Sequence, residues 1–384
     1  MTRKKSAFVN TTMNIGGIPK ASIPFLEQLQ KIYDVTLFLT DSEGELIDSV
    51  PKGIKIVILP NENYKSQILG ALKQLKFYKT IKSLVSYFLA KNWIDSAKAR
   101  IKLKYIQEEH FDAAIAYFGM NAKCLFTTLY NIKADKKIVF IHGDHPFKEN
   151  ELKTVEKIYQ RFDRIFCGSK ANINSFLSDF PNCNDLTDYF YCIINEKEVL
   201  SESQKECDLV KKDGLLNILT VGRLSPEKGQ DMIPQIAEIL KNKGFDFIWT
   251  IVGDGELMEQ TKTESINRGV FDKLSFAGAQ KNPYPYFANC DIFVQPSYTE
   301  GYSIVTREAA ILGKPIVATN VGGQPEGFVN GVDILLVEPN VEEISNALAQ
   351  LLSDDEMRNY ISQNISRKDF SNLGEMKKIV SLIG

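Results

Sequence analysis

Residues 291–313, DIFVQPSYTEGYSIVTREAAILG, pass from a short apolar run through a glycine-containing turn into a helical pattern. The run DIFVQPS is apolar without strict alternation, which is typical of a strand buried on both faces of a parallel sheet. The turn is predicted at Glu300–Gly301, and the helix from about Ser303 to Gly313. This strand–turn–helix order is the repeating unit of a doubly wound α/β fold.

The same order recurs along both halves of the chain. In the first half the apolar runs are SAFVNTT (6–12), DVTLFLT (34–40), IKIVILP (54–60), FDAAIAYF (111–118), KKIVFIH (136–142) and DRIFCGS (163–169). In the second half they are LLNILTVGRL (215–224), FIWTIVGDG (247–255), KLSFAGAQ (273–280), DIFVQPSYTEG (291–301), PIVATNVGG (315–323) and DILLVEP (333–339). The pattern predicts two doubly wound domains, 1–195 and 214–365, joined by a polar linker, 196–213. Ligands are expected at the carboxyl ends of the strands and in the cleft between the domains.

Composition indicates a globular protein of the cytoplasm. The chain has 384 residues with 44% apolar residues, and its mean hydropathy is −0.17. No apolar run approaches the roughly 18–20 residues of a membrane-spanning helix. The six cysteines show no C-x-x-C spacing, so reduced thiols are expected.

Two glutamates, Glu300 and Glu308, flank the start of the predicted helix. At about 100° per residue, eight positions leave them roughly 80° apart, so they are not an acid/base pair on one helix face. The N–H groups that open a helix offer a seat for a phosphate, and here they belong to Ser303, Ile304 and Val305. The alternative is an ordinary turn residue and an ordinary helix former.

Cations and glycines follow two other strands of the second half. Arg223 and Lys228 lie on the loop after 215–221, where they could neutralise a diphosphate or remain solvated. In IVGDGE (251–256), Gly253 ends a strand, and Asp254 could contact a nucleotide or cap the next helix.

Two features of the first half complete the candidate set. Gly16 and Gly17 follow the first strand and open a helix, where backbone N–H groups can approach an anion, although a purely conformational role is equally compatible. His142 directly follows a buried strand. His145 lies three residues later, but no further ligand accompanies the pair, so no metal site is predicted.

Together these segments resemble the retaining GT-B glycosyltransferases, specifically family four, also called group 1. The resemblance rests on the Gly16–Gly17 loop, His142, VGRLSPEKG (221–229), VGDGE (252–256), AGAQKNPYPYFANCDIFVQPS (277–297), GKPIVATNVGG (313–323) and, above all, the E-x7-E motif in EGYSIVTREA (300–309). It covers the second domain throughout and the first domain at its two loops. It implies a GT-B fold, in which two Rossmann-like domains face each other across a cleft.

The resemblance also implies roles for individual residues. Arg223, Lys228 and the N–H groups of Ser303–Val305 would bind the diphosphate of a nucleotide sugar. Glu308 would bind the ribose, and Glu300 the donor sugar. The donor site would also include Gly16, Gly17, Gly253, Asp254, Gln280, Asn282 and Pro283. His142 would reach the transferred sugar from the first domain, and a C-terminal helix within about 366–384 would cross back to that domain.

The implied activity is hexosyl transfer with retention, without a cofactor or metal, since no D-x-D motif is present. The donor would be a UDP-linked hexose or N-acetylhexosamine, and the acceptor a saccharide or lipid-linked saccharide in surface polysaccharide or glycolipid synthesis. The alternatives are a GT-B nucleotide-sugar epimerase and a non-catalytic binding or scaffold subunit.

A basic segment, residues 65–104, contains ten Lys or Arg and one acid, Asp95. Its helical apolar positions alternate with lysines, which predicts attachment to an anionic membrane surface on the cytoplasmic side. The alternative is a packed helix pair with a solvated basic face. A pI of about 6.1 argues against nucleic acid as the partner.

Overall fold

The computed structural model describes residues 3–59, 109–143, 147–209, 211–212 and 214–384. The basic segment 65–104 and His145 lie outside these residues. The chain forms two compact units, which are Met1–Ile193 with Leu373–Gly384, and Ile194–Asn372.

The first unit is built on a parallel sheet of seven strands in the order β3-β2-β1-β4-β5-β6-β7. Its strands are β1 Lys5–Asn10, β2 Asp34–Leu39, β3 Lys55–Ile58, β4 His110–Ala116, β5 Lys133–Ile141, β6 Arg164–Cys167 and β7 Thr187–Tyr189. The helices in its N-terminal part are α1 Gly17–Ile32, α2 Ala122–Phe126, α3 Leu152–Tyr159 and α4 Lys170–Asp179. Strand β7 was not predicted, because its three residues are half-buried and form no apolar run.

The second unit has six parallel strands in the order β10-β9-β8-β11-β12-β13. These are β8 Leu216–Val221, β9 Phe247–Val252, β10 Leu274–Gly278, β11 Ile292–Gln295, β12 Ile316–Thr319 and β13 Leu335–Val337. Its helices are α5 Glu196–Glu202, α6 Ile233–Asn242, α7 Met258–Asn267, α8 Tyr284–Asn289, α9 Ile304–Ile311, α10 Val341–Ser353 and α11 Asp355–Ile365.

The central strands are buried on both faces, as their continuous apolar runs predict. In β1, Ala7 and Val9 enter the core on one side of the sheet, whereas Phe8 enters the core on the other side. In β11, Ile292 likewise faces one core and Phe293 the opposite core. Each unit is therefore a sheet between two helical layers, and the predicted α/β doubly wound class is confirmed.

The predicted linker 196–213 differs from the structure at its start. Helix α5 occupies Glu196–Glu202, with the Asn195 side chain accepting a hydrogen bond from the Glu198 backbone N–H at 3.2 Å. Val199 is the buried side chain of this helix and packs into the core of the second unit. One buried residue in seven gives no apolar periodicity, so sequence patterning did not indicate this helix.

The last helix, α12 Met376–Ile383, belongs to the first unit. Met376, Ile379 and Ile383 pack into the same core as Phe8 of β1. The first unit resumes at Leu373 rather than at about 366, because Phe370, which follows helix α11, still packs into a core of the second unit. No helix among the described residues combines the length and apolar character that a membrane-spanning segment requires.

Candidate functional site

The strand order of the second unit reverses between β8 and β11. In open α/β sheets, ligands bind at the carboxyl ends of the strands at such a point. The loop after β8 carries Lys228, and the loop after β11 carries Glu300. The Lys228 Nζ atom donates a hydrogen bond to Glu300 Oε1 at 2.9 Å, so the two loops meet at this point.

Three donors converge on one oxygen of the Glu300 carboxylate. Besides Lys228, the Ser297 hydroxyl donates to Glu300 Oε1 at 2.7 Å, and the Gln295 Nε2 atom donates at 3.0 Å. The Glu300 side chain is only 5% exposed. None of the hydrogen bonds among the described residues goes to Oε2. The carboxylate is therefore held by one oxygen and can accept hydrogen bonds from a ligand with the other.

Glycine allows the two loops to approach each other. Gly229 ends the turn Pro226–Lys228 with a φ of +64°, and a Cβ there would lie 2.1 Å from the carbonyl oxygen of Pro296. Any larger residue would push Lys228 away from the loop after β11. Glycine is therefore required at position 229 both by the packing against Pro296 and by the conformation of the turn.

Arg223 lies on the same loop as Lys228 and is exposed. Within the part of the chain that the structure describes, its guanidinium makes no ion pair. A planar cation that is not paired in this way can bind phosphate oxygens with two parallel hydrogen bonds. The loop after β8 thus carries one exposed cation and one that is held against Glu300.

Helix α9 begins beside Glu300 in a strained turn. Ser303, immediately before the helix, has a φ of +56° and a ψ of 77°, which is left-handed and uncommon for a residue other than glycine. Its hydroxyl bonds to Thr306 Oγ1 at 2.8 Å, and no side chain caps the first N–H groups of the helix. Ile304 and Val305 are partly buried in the first turn, where their N–H groups can receive an anion.

Glu308 lies inside helix α9 and is 1% exposed. Its Oε1 accepts a hydrogen bond from the hydroxyl of Tyr284 at 2.9 Å. Burial raises the pKa of Tyr284, and the Glu308 carboxylate raises it further, so the phenol remains a donor. Tyr284 orients Glu308, and sequence analysis did not assign it a role because no local pattern links α8 to α9.

Arg307 is another residue that sequence analysis missed. It is completely buried, and its guanidinium donates to the backbone carbonyls of Tyr302, Ser303, Gly323 and Glu326. The guanidinium also stacks on the Tyr302 ring, with 4.0 Å between Cζ and the ring centroid. It ties the turn before α9 to the loop after β12. Arg307 thus supports the backbone that presents the helix N-terminus.

The remaining residues of the second unit that are expected in the donor site differ in exposure and in hydrogen bonding. Asp254 is exposed, and its Oδ1 accepts from Gly255 N at 2.7 Å. Gly253 has a φ of +144° and packs against the backbone of Gly222, where a Cβ would lie 1.9 Å from the Gly222 carbonyl oxygen. Gln280 donates to the Ala277 carbonyl at 2.8 Å.

Asn282 and Pro283 join α8 to α5. The Asn282 Nδ2 atom donates to the Glu202 carbonyl at 3.1 Å and to Glu202 Oε2 at 3.0 Å. Its Oδ1 accepts from Tyr284 N at 3.1 Å, and Pro283 is buried as the residue before α8. The Asn282 side chain is therefore engaged within the protein, and its expected role in the donor site stays a prediction.

In the first unit, His142 directly follows β5, as predicted. Its ring lies 4.5 Å from that of Tyr117, and its Nε2 atom is buried without a hydrogen bond to a described residue. Burial lowers the pKa of His142 to about 4, against a smaller upward effect of a hydrogen bond with the Tyr117 backbone. The imidazole is neutral at pH 7. Its expected contact with a transferred sugar stays a prediction.

Gly16 and Gly17 lie at the start of α1, at the carboxyl edge of the first sheet. Gly16 has an extended φ of 173°, and a Cβ on Gly17 would meet nothing within 4 Å. A Cβ on Gly16 would make an ordinary contact with Pro19 at 3.7 Å, so neither conformation nor packing requires glycine here, and Gly17 leaves open space at the helix N-terminus. That space is compatible with the expected ligand-binding role.

Across the described residues, no group of three or more histidine, cysteine, aspartate or glutamate side chains is arranged to hold a metal ion. None of the six cysteines, all of which lie in the described residues, forms a disulfide bond, and five of them are buried. Burial raises the pKa of the Cys124, Cys167, Cys183 and Cys290 thiols to about 12, so none of these is a thiolate at pH 7.

The His142 pKa predicts how the stability of the first unit depends on pH. The unfolded side chain has a pKa near 6.5, so the unfolded chain binds an extra proton between about pH 6.5 and pH 4. The His142 contribution is therefore complete above pH 6.5 and is lost as the pH falls towards 4, by about 2–3 kcal/mol. Urea unfolding at pH 7.5, 6, 5 and 4.5 measures this loss.

The variant His142→Asn should remove that part of the pH dependence. The control is His110→Asn, because His110 is exposed and paired with Asp135 at 2.8 Å. It should keep the part of the pH dependence that comes from His142. An unchanged dependence in His142→Asn would contradict the assignment.

Comparison with known families gives one match within the second unit. Residues 202–368 match the family described as "Glycosyl transferases group 1". This range contains Arg223, Lys228, Glu300 and Glu308. These four candidate residues thus lie within the matched range.

Two curated bacterial relatives match most of the chain. One is the N,N'-diacetylbacillosaminyl-diphospho-undecaprenol alpha-1,3-N-acetylgalactosaminyltransferase of Campylobacter jejuni, which is 26% identical over 81% of this chain and 85% of that protein. The other is the UDP-Gal:alpha-D-GlcNAc-diphosphoundecaprenol alpha-1,3-galactosyltransferase of Escherichia coli, at 24% identity over 98% of this chain and 94% of that protein.

Among solved structures, HepE of Anabaena in complex with UDP-glucose is similar, with a TM-score of 0.68 and 18% identity over 98% of this chain and 99% of that chain. WaaG, a glycosyltransferase involved in lipopolysaccharide biosynthesis, has a TM-score of 0.63 and 13% identity over 99% and 100% of the two chains. At these identities the likeness is one of fold.

Proposed function

The chain belongs, through residues 202–368, to the glycosyl transferases group 1 family, and we propose that it is a retaining hexosyltransferase that uses a UDP-sugar. Both of its units have the doubly wound architecture of the GT-B fold. The transferred group is a hexose or an N-acetylhexosamine. The acceptor is a lipid-linked saccharide, and the product extends a surface polysaccharide or a glycolipid.

One observation supports this proposal most strongly. Lys228 and Glu300 are in contact beside the uncapped N-terminus of α9, and Glu308 lies within the same helix. A cation and helix N–H groups suit a diphosphate, and carboxylates suit hydroxyl groups. We assign the diphosphate to Arg223, Lys228 and the start of α9. Glu308 then binds the ribose, and Glu300 binds the transferred sugar.

The chemistry follows from where charge develops. The bond between the anomeric carbon and the diphosphate oxygen breaks, and negative charge grows on the departing nucleoside diphosphate. Arg223, Lys228 and the α9 N-terminus stabilise that charge without a metal. Glu300 is a weak nucleophile, because one of its oxygens already accepts three hydrogen bonds. The acceptor hydroxyl therefore attacks from the face that the diphosphate leaves, and a diphosphate oxygen takes its proton, so the anomeric configuration is retained.

The nature of donor and acceptor is supported by the relatives. The E. coli protein is named for UDP-Gal, and both curated relatives are named for diphospho-undecaprenol acceptors. HepE binds UDP-glucose.

A lipid-linked acceptor is presented at a membrane, so we also propose that the basic segment 65–104 attaches the enzyme to the cytoplasmic surface of an anionic bilayer.

The test is a donor panel with a diphospho-undecaprenol-linked sugar in vesicles, with and without anionic lipid. We expect UDP release that depends on acceptor, persists in EDTA and is faster on anionic vesicles, with retained configuration in the product by NMR. Conversion of the UDP-sugar without acceptor would indicate an epimerase. Thermal stabilisation by UDP with no turnover of any donor would indicate a non-catalytic binding subunit. An inverted product would refute the mechanism.

A further inference from the structure

Gln295, the last residue of β11, is an unusual polar residue in a buried strand. Its side chain is 1% exposed. The Nε2 atom donates to Glu300 Oε1 at 3.0 Å and to Ser297 Oγ at 2.9 Å. A carboxylate can only accept hydrogen bonds, so the amide nitrogen, not the oxygen, faces Glu300.

The amide group of Gln295 uses its nitrogen for two hydrogen bonds and leaves its oxygen without one. Its own Oε1 is buried and accepts no hydrogen bond from a described residue. An unsatisfied buried acceptor destabilises a protein, and an apolar side chain of similar size would avoid that cost. We therefore attribute the amide at this position to the two hydrogen bonds that it donates, one to Glu300 and one to Ser297, which itself donates to Glu300.

The backbone around Gln295 is fixed by the neighbouring strand. Thr319, at the end of β12, donates its hydroxyl to the Ser297 carbonyl at 2.6 Å. Ser297 in turn donates to Glu300 Oε1. Two of the three donors that hold Glu300, Gln295 and Ser297, are therefore tied to two adjacent strands, which makes their positions rigid compared with those of a loop.

A carboxylate oxygen that already accepts three hydrogen bonds has little capacity left. The acceptor capacity of Glu300 is therefore concentrated on Oε2, whose direction is set by the donors on Oε1. We propose that Gln295 is a positioning residue that fixes the Glu300 carboxylate, and that it thereby sets which hydroxyl pattern of the donor sugar is accepted. The inference rests on the proposed function, since it assumes that Glu300 binds the transferred sugar.

The main test is Gln295→Leu in the full chain, assayed with two UDP-sugars that are epimers at one hydroxyl. We expect kcat for the preferred donor to fall about 10–10²-fold, as for the loss of one hydrogen bond to a charged group. The preference between the epimers should fall by a similar factor. The thermal stabilisation by UDP alone should stay within about twofold in apparent Kd, because the groups to which Gln295 donates, Ser297 and Glu300, are not assigned to the phosphates or the ribose.

A second variant, Gln295→Glu, gives a signature that a merely structural role would not produce. The new carboxyl can donate to Glu300 only when it is protonated, and two adjacent carboxylates hold a shared proton to higher pH. Its activity relative to the native enzyme should therefore rise as the pH is lowered from 8 to 6. This variant is isosteric, so it also serves if Gln295→Leu fails to fold.

The control is Asn217→Leu, which removes a buried amide at the opposite, amino-terminal edge of the same sheet, where its Nδ2 lies 3.5 Å from Asp291. It should change stability without changing epimer preference. Native kcat and native preference in Gln295→Leu, or no relative rise at low pH in Gln295→Glu, would overturn the inference and leave the proposed function intact. If the native enzyme transfers no sugar at all, the proposed function itself fails.

Discussion

Replacing Lys228 by methionine is expected to lower kcat for sugar transfer by about 10²–10³-fold, the usual loss when one group that stabilises developing negative charge is removed. Lys228 is a quarter exposed and contacts Glu300 at 2.9 Å, so its charge lies at the edge of the site rather than within the core. Methionine keeps the length of the side chain and removes the charge. Steady-state kinetics with UDP-sugar and acceptor measure the effect, and Lys228→Arg should recover part of it.

The control for Lys228 is Lys273→Met. Lys273 precedes β10 at the opposite edge of the sheet and pairs with Asp246 at 2.6 Å. Its removal also breaks one ion pair, but we expect kcat to stay within about twofold, since Lys273 lies at the edge of the sheet away from the site and its partner Asp246 is 71% exposed. Equal losses in the two variants would mean that the Lys228 effect is general. Both proteins should be compared by thermal unfolding, so that loss of fold is separated from loss of chemistry.

Replacing Arg307 by leucine is expected to destabilise the second unit by about 3–5 kcal/mol. The change removes hydrogen bonds from a buried cation to four backbone carbonyls, each of which is worth about 1.5–3 kcal/mol when the donor is charged. The expected loss is smaller than their sum, because removing the cation also removes the cost of burying its charge. Burial also prevents water from replacing them fully. Lysine should not rescue the fold, because its single ammonium lacks the planar fork that reaches carbonyls on two loops.

Urea unfolding, monitored by hydrogen exchange of the α9 amides, measures the loss of unfolding free energy in the second unit. The matched control is Arg268→Leu. Arg268 forms ion pairs with Glu238 and Glu264, yet its side chain is 30% exposed. We expect a change of about 1 kcal/mol or less for that variant. If Arg268→Leu proved as damaging as Arg307→Leu, burial would not be the deciding factor.

The sequence predicted the elements better than the contacts between them. The strand Ile292–Gln295 and the helix Ile304–Ile311 lie where apolar runs and the glycine turn indicated. The contact between Lys228 and Glu300 joins residues 72 positions apart. It depends on β8 lying next to β11, and apolar patterns do not specify strand order. The hydrogen bond between Tyr284 and Glu308 likewise joins two helices whose contact no local sequence pattern specifies.

Arg307 shows a second reason for the limits of prediction. A charged residue in a helix is normally exposed, and its sequence neighbours gave no contrary indication. The carbonyls that bind it come from the turn at Tyr302–Ser303 and from the loop after β12. Backbone geometry such as the positive φ of Ser303 is equally invisible, since serine itself gives no sign of it.

The return of α12 to the first unit has a consequence for biosynthesis. The ribosome synthesises the first unit up to Ile193 and then the entire second unit. Only afterwards do Met376, Ile379 and Ile383 emerge. At the usual 5–20 residues per second, the core around Phe8 stays incomplete for about 10–40 s. During that interval apolar surface is open to chaperones. The order of maturation therefore reverses the order of synthesis, because the second unit can close before the first.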